Sequence, residues 1–113
     1  IVLKGGKPIL ALGAAGGPTI ISQTLLAIIN TIDFGLELDA ALARPRFHHQ
    51  WSPDELKIES RAGEDLRREL ETRGHKVTPV KSLGVTQAVG VDPRTKSFVG
   101  AHDPRVNGKA AGW

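Results

Sequence analysis

Apolar residues recur along the chain in two rhythms, one short and extended, the other spread over wide helical arcs. Residues 1–3 and 8–12 are apolar segments on either side of Lys4-Gly5-Gly6-Lys7, whose paired glycines supply the positive φ angles of a tight hairpin. The second segment, Ile9-Leu10-Ala11-Leu12, is apolar on both faces and reads as a central strand covered on both sides. After Gly13 to Thr19 come Ile20, Ile21, Leu25, Leu26, Ile28, Ile29 and Ile32, which at 100° per residue cover a wide arc. Gln23, Thr24, Asn30 and Thr31 take the narrow remainder. The isoleucines would suit a strand, but the run is too long for one, so the pattern predicts a largely buried helix. Pro18 suits its first position and Gly35 its stop.

A second short helix spans Leu38–Ala43 and must end before Pro45. Residues 46–53 read as an irregular polar-aromatic connection, and Leu56–Glu59 alternates like a short strand. Residues 64–73 carry helix signals: acids first, Leu66 and Leu70 four apart, Arg73 last and Gly74 beyond. Residues 76–81 form a strand that Pro79 pushes to a sheet edge, and 86–91 and 96–101 flank the turn Asp92-Pro93-Arg94-Thr95. Residues 102–113 read as loop. The expectation is a single α+β unit over residues 1–113, with helices packed on a mostly antiparallel sheet.

Composition changes this picture in three ways. The 113 residues contain no cysteine, which excludes a disulfide framework, a zinc ribbon and a thiol nucleophile, and no methionine, which suggests a processed product or a piece of a longer protein. The 15 Lys+Arg and 12 Asp+Glu residues interleave, so the +3 balance reads as solvated surface. Only Phe47 and Trp51 lie near a basic pair, Arg44 and Arg46, so no nucleic-acid partner is expected. The uncharged run 8–32 is broken by Gly13, Gly16, Gly17 and Pro18, and no membrane span is expected.

The glycine-rich stretch Gly13-Ala14-Ala15-Gly16-Gly17-Pro18 sits where a strand becomes a helix. Adjacent glycines allow close backbone approach, and N–H groups at a helix N-terminus favour negative charge, so the stretch reads either as an anion or oxyanion site or as a sharp turn permitting close packing. It does not fit the common phosphate-loop or dinucleotide templates. His48 and His49 are sequence neighbours that point apart, and His75 and the His102–Asp103 pair are distant, so no metal site is expected and no cofactor is implied. Ser22, Ser52, Ser60, Ser82 and Ser97 lie in no nucleophile-elbow pattern, and Glu64, Glu69 and Glu71 read as solvated helix residues.

Several blocks in series resemble one family. G-A-A-G-G-P-T from Gly13, N-T-I-D-F-G-L from Asn30, R-P-R-F-H-H-Q-W from Arg44, then Pro53-Asp54-Glu55-Leu56, Arg73-Gly74-His75, Thr86-Gln87-Ala88, Asp103-Pro104-Arg105 and Gly112-Trp113 are similar to the C-terminal part of the γ-glutamyltranspeptidase small subunit. The resemblance implies part of an αββα N-terminal-nucleophile hydrolase sandwich. It also implies an autoprocessed enzyme whose new N-terminal threonine transfers the γ-glutamyl group of glutathione or a related amide to water or an amino-acid acceptor. Gly16 and Gly17 match the family's paired oxyanion glycines.

The family's threonine nucleophile matches no position here, and Thr19, Thr24 and Thr31 are not substitutes, since a threonine using its own α-amine as base must be N-terminal. Ala14 and Ala15 stand where the family usually has Ser or Thr followed by Pro. The P-R-F-H-H-Q-W block is assigned to architecture, with Phe47 and Trp51 packing and Arg46 pairing locally. The implied partners are the rest of the small subunit, the large subunit and a small γ-glutamyl substrate, with self-association of the isolated chain a further expectation. A periplasmic or secreted location follows from the exported bacterial members. Alternatives are a related acylase or poly-γ-glutamate transferase, or a non-catalytic structural fragment.

Overall fold

The computed structural model describes residues 1–112; Trp113, one of the resemblance residues, lies outside them. Strands β1 (Val2–Lys4) and β2 (Lys7–Ala15) form the expected hairpin, with Gly5 and Gly6 at φ 58° and 76°. β2 runs three residues further than the apolar segment and passes into helix α1 (Thr19–Ile32). Helix α2 (Leu38–Ala43) ends where the residue preceding Pro45 turns extended, Arg44 having ψ 145°.

Within the stretch expected to be irregular, Phe47–His48 forms a two-residue strand, β3, antiparallel to β4 (Leu56–Glu59). A 3-10 turn (Ser60–Ala62) and helix α3 (Glu64–Thr72) then lead to β5 (Val77–Val80), which pairs parallel with β4 and leaves Pro79 on an edge strand. β6 (Val85–Val91) and β7 (Phe98–Ala101) join the hairpin through β2. The strands therefore divide into a four-stranded antiparallel sheet, β1-β2-β6-β7, and a three-stranded sheet, β3-β4-β5.

Leu10, Ala27, Leu38, Leu42 and Ala101 form the core between the four-stranded sheet and α1 and α2. Leu10 pairs in register with Gly90, and Ala88 with Leu12 and Ala101, so alternation places these residues on the helix-covered face. Ile9, Ala11, Val89, Val91 and Phe98 line a shallow apolar depression along the sheet. Val89 and Phe98 are exposed. Of the two faces expected to be covered at β2, the helices cover one within the described residues; the other carries this depression.

The helix α1 expectation also needs correcting. Only Gln23 and Ala27 are buried on it, while Ile21 is 74% and Leu25 54% exposed. Its polar residues turn inward because they have partners there: Ser22 Oγ lies 2.6 Å from His48 Nδ1, and Asn30 Nδ2 donates to the Ala41 carbonyl. No described helix is long and apolar enough to cross a membrane.

Candidate functional site

The junction between β2 and α1 is a turn through Gly16 (φ 149°) and Gly17 (φ 60°), both exposed and both in the region that favours glycine. The Gly16 carbonyl accepts from Thr19 N at 3.3 Å and Thr19 Oγ1 at 2.8 Å, and the Gly17 carbonyl accepts from Ile20 N at 3.1 Å. Neither the Gly16 N–H nor the Gly17 N–H donates to an acceptor among the described residues. Two successive donors at the start of a 14-residue helix can stabilise an oxygen that gains negative charge. A Cβ on Gly17 would meet open space, whereas one on Gly16 would lie 2.5 Å from Thr19 Oγ1 and 2.7 Å from Gln23 Nε2.

Beneath the turn lies a cluster of buried polar side chains drawn from five separate parts of the chain. Gln23 comes from α1, Arg46 from the connection after α2, Glu59 from the end of β4, Thr86 from β6, and Asp103 and Arg105 from the segment after β7. Arg46 is 2.6 Å from Asp103 and also donates to the carbonyls of Leu42 and Gly84. The expected local pairing of Arg46 is therefore corrected: its carboxylate partner is 57 positions away, since the chain after β7 returns to the end of α2, where Arg105 reaches the Leu42 and Arg44 carbonyls.

Arg105 grips Glu59 with two parallel bonds, Nε to Oε1 at 2.7 Å and Nη2 to Oε2 at 2.6 Å, and reaches Asp103 Oδ1 at 3.1 Å. Glu59 also accepts from the backbone N–H groups of Arg46 and Leu83, and Asp103 from those of Thr86 and Arg105. Burial pushes the Glu59 carboxyl up, but Arg105 and the two backbone donors outweigh it and hold the pKa at about 2. Burial likewise raises Asp103, and the Arg105 and Thr86 N–H groups with the two guanidiniums carry it below the ordinary carboxylate range. Burial pulls the Arg46 guanidinium below its ordinary value against the pull of Asp103. Arg105 is also disfavoured by burial, yet Glu59 and Asp103 hold it above its ordinary value.

The remaining candidates are scattered. His48 is buried and His49 exposed beside Asp54, pointing apart as their adjacency requires. Among the described residues no three potential ligands gather for a metal. Trp51 is 84% exposed and Phe47 half exposed, so the expected aromatic packing of the P-R-F-H-H-Q-W block is not made within these residues. Glu64, Glu69 and Glu71 lie on α3 in ion pairs with Arg67, Arg68 and Arg73. Sequence reasoning missed Gln23 and Glu59, although a glutamine within a run of isoleucines and leucines was a visible anomaly.

The fold, helices on an antiparallel sheet with a glycine turn at a strand-to-helix junction, is that of part of an N-terminal-nucleophile hydrolase sandwich. The sequence profile of gamma-glutamyltranspeptidase matches residues 1–113. The chain is 43% identical over 114 residues to the glutathione hydrolase proenzyme of Escherichia coli, covering 100% of this chain and 20% of that protein. The solved structure of a threonine-to-alanine variant of Helicobacter pylori gamma-glutamyltranspeptidase superposes with a TM-score of 0.88 at 39% identity, covering 94% of this chain and 59% of that one. Cephalosporin acylase from Bacillus halodurans superposes with a TM-score of 0.87 at 32% identity, covering 97% of this chain and 21% of that one. The chain belongs to the γ-glutamyltranspeptidase family, and it spans about a fifth of the length of the curated relatives it matches.

Proposed function

We propose that this chain is part of a γ-glutamyltransferase or glutathione hydrolase and supplies its oxyanion-binding pair, the backbone N–H groups of Gly16 and Gly17. The observation that carries the reading is the exposed turn at the β2–α1 junction with its two unengaged donors, in a chain of this family. In the reaction, a threonine hydroxyl from outside these residues attacks the γ-carbonyl carbon, and the carbonyl electron pair moves onto oxygen. The two N–H groups meet that oxygen as its charge develops. Collapse restores the carbonyl and expels the amine with a proton, leaving an acyl-enzyme. Water or an acceptor amine repeats the sequence to release glutamate or a γ-glutamyl product.

The nucleophile, the rest of the small subunit and the large subunit complete the site as partners. The bare apolar face of the four-stranded sheet suits a second sheet, as the αββα arrangement requires, and self-association would cover the same face in an isolated chain. The test is release of nitroaniline from a γ-glutamyl anilide by the complete gene product. Gly17→Val, whose Cβ meets open space but whose β-branched side chain cannot hold φ 60°, should turn the N–H away and lower turnover about 100-fold, the scale of one lost oxyanion donor. Unchanged turnover would reduce the glycines to packing. The likeness to a cephalosporin acylase favours a second reading, an acylase for another amide, which preferential cleavage of a cephalosporin's side-chain amide would support.

A further inference from the structure

The polar cluster beneath the turn contains one side chain that reaches the two peptide groups carrying the donors. Gln23 is 1% exposed and makes four hydrogen bonds. Its Oε1 faces Thr86 Oγ1 at 3.0 Å and Arg46 Nη1 at 3.4 Å. Its Nε2 faces the Ala15 carbonyl at 3.1 Å and Thr19 Oγ1 at 2.9 Å. A guanidinium can only donate and a peptide carbonyl can only accept, so these neighbours leave one orientation for the amide. The Thr19 hydroxyl, accepting from Gln23, passes its own hydrogen to the Gly16 carbonyl at 2.8 Å.

The consequence follows from peptide geometry. The Ala15 carbonyl belongs to the same planar unit as the Gly16 N–H, and the Gly16 carbonyl to the same unit as the Gly17 N–H. In a trans peptide the two groups point in opposite directions, so a donor that anchors the oxygen aims the hydrogen. One hydrogen of the Gln23 amide anchors the first plane directly. The other anchors the second through Thr19.

We infer that Gln23 is the positioning residue of the oxyanion pair, holding both peptide planes with one amide and relaying the orientation imposed by Arg46 and Thr86. This rests on the reading of Gly16 and Gly17 as oxyanion donors. Gly84 fits the same role: a Cβ there would run into Gln23 Nε2 and the Ala15 carbonyl, so a glycine at φ 70° lets the following loop close over the Gln23–Ala15 bond. The Gly84 carbonyl also accepts from Arg46, which ties that loop to the guanidinium that orients Gln23.

The test uses three variants of the complete, processed enzyme. Gln23→Met keeps the volume and removes both donors; Gln23→Glu keeps the acceptor toward Arg46 and Thr86 and replaces the donors; Thr19→Val removes only the relay to the second plane. Displacing both N–H groups should lower kcat about 100-fold for the two Gln23 variants, with KM within about threefold, and Thr19→Val should lower it about 10-fold. A boronic acid analogue of the γ-glutamyl group, which becomes tetrahedral and anionic on the nucleophile, should lose affinity by the factor lost in kcat/KM. Because both substitutions act through one amide, Thr19→Val added to Gln23→Met should cost almost nothing more.

A folded, processed Gln23→Met or Gln23→Glu enzyme with kcat and boronate affinity within twofold of the parent overturns the inference, as does a loss confined to KM and melting temperature. Should Gln23→Met fail to fold, Gln23→Glu and Thr19→Val carry the same comparison. The parent reading fails separately: there Gly17→Val leaves turnover intact. If Gly17→Val is damaging and the Gln23 and Thr19 variants are not, the donors stand and the positioning role falls.

Discussion

Two regions of this molecule invert the usual distribution of polar and apolar groups. Under the glycine turn, Gln23, Arg46, Glu59, Thr86, Asp103 and Arg105 are largely or wholly buried, and two carboxylates face two guanidiniums. On the bare side of the four-stranded sheet, Val89 and Phe98 stand in the open, as do Ile21 and Leu25 on α1. The polar region is complete within these residues, because a buried charge must find its partners or be expelled. The apolar region has no such requirement. Apolar surface can wait for another layer at a cost of roughly 25 cal/mol per Å², whereas an unpaired buried ion costs several kcal/mol at once.

The comparison breaks most sharply at Asp103. Asp103→Ala leaves Arg46 and Arg105 without a shared carboxylate, and a loss of about 3–5 kcal/mol is expected in denaturant unfolding of the complete protein. A loss under 1 kcal/mol would mean that the cluster is more hydrated than its burial indicates.

Acid probes the same region without mutation. Glu59 has its pKa lowered from 4.5 to about 2 in the folded state, so its contribution is fully present above pH 4.5 and disappears as pH falls through about 2. The linked stability is about 3 kcal/mol, and Glu59→Gln should flatten that part of the melting profile. An unchanged profile in the variant would remove Glu59 from the account.

Val89→Lys tests the apolar region. If another layer covers the sheet in the complete protein, as proposed, a loss of about 2 kcal/mol is expected; a change within about 0.5 kcal/mol would show that the face is solvated there too. The smallest effect belongs to an exposed pair. Arg73, just past the end of α3, lies 2.7 Å from Glu69, yet Arg73→Ala should shift stability by no more than about 0.5 kcal/mol, because water and salt screen them. A larger loss would show that distance rather than burial sets the worth of these pairs.

Much of the local structure was legible in the chain. The Gly5-Gly6 hairpin, the Leu38–Ala43 helix stopped before Pro45, the Leu56–Glu59 strand and the edge position of Pro79 each rest on a short-range signal. Misreadings occurred where a residue's environment came from far along the sequence. Periodicity placed Gln23 on the minor face of α1, yet it is the most buried side chain of that helix, because its partners Arg46 and Thr86 arrive from 23 and 63 positions away. Arg46 was expected to pair nearby for the same reason. The division of the strands into two sheets, with β6 crossing to β2 instead of pairing with β5, also leaves no trace in alternation, which reports faces and not neighbours.

For the candidate site, sequence alone determined the glycine turn and the family it belongs to. The glycine pair by itself suits an anion site or a tight packing turn equally, and it is the ordered series of motifs along the chain that carries the resemblance. Only the tertiary structure decided what holds that turn. A peptide plane is aimed by whatever hydrogen-bonds its carbonyl, and here the donor is a buried amide oriented by side chains that folding alone brings together.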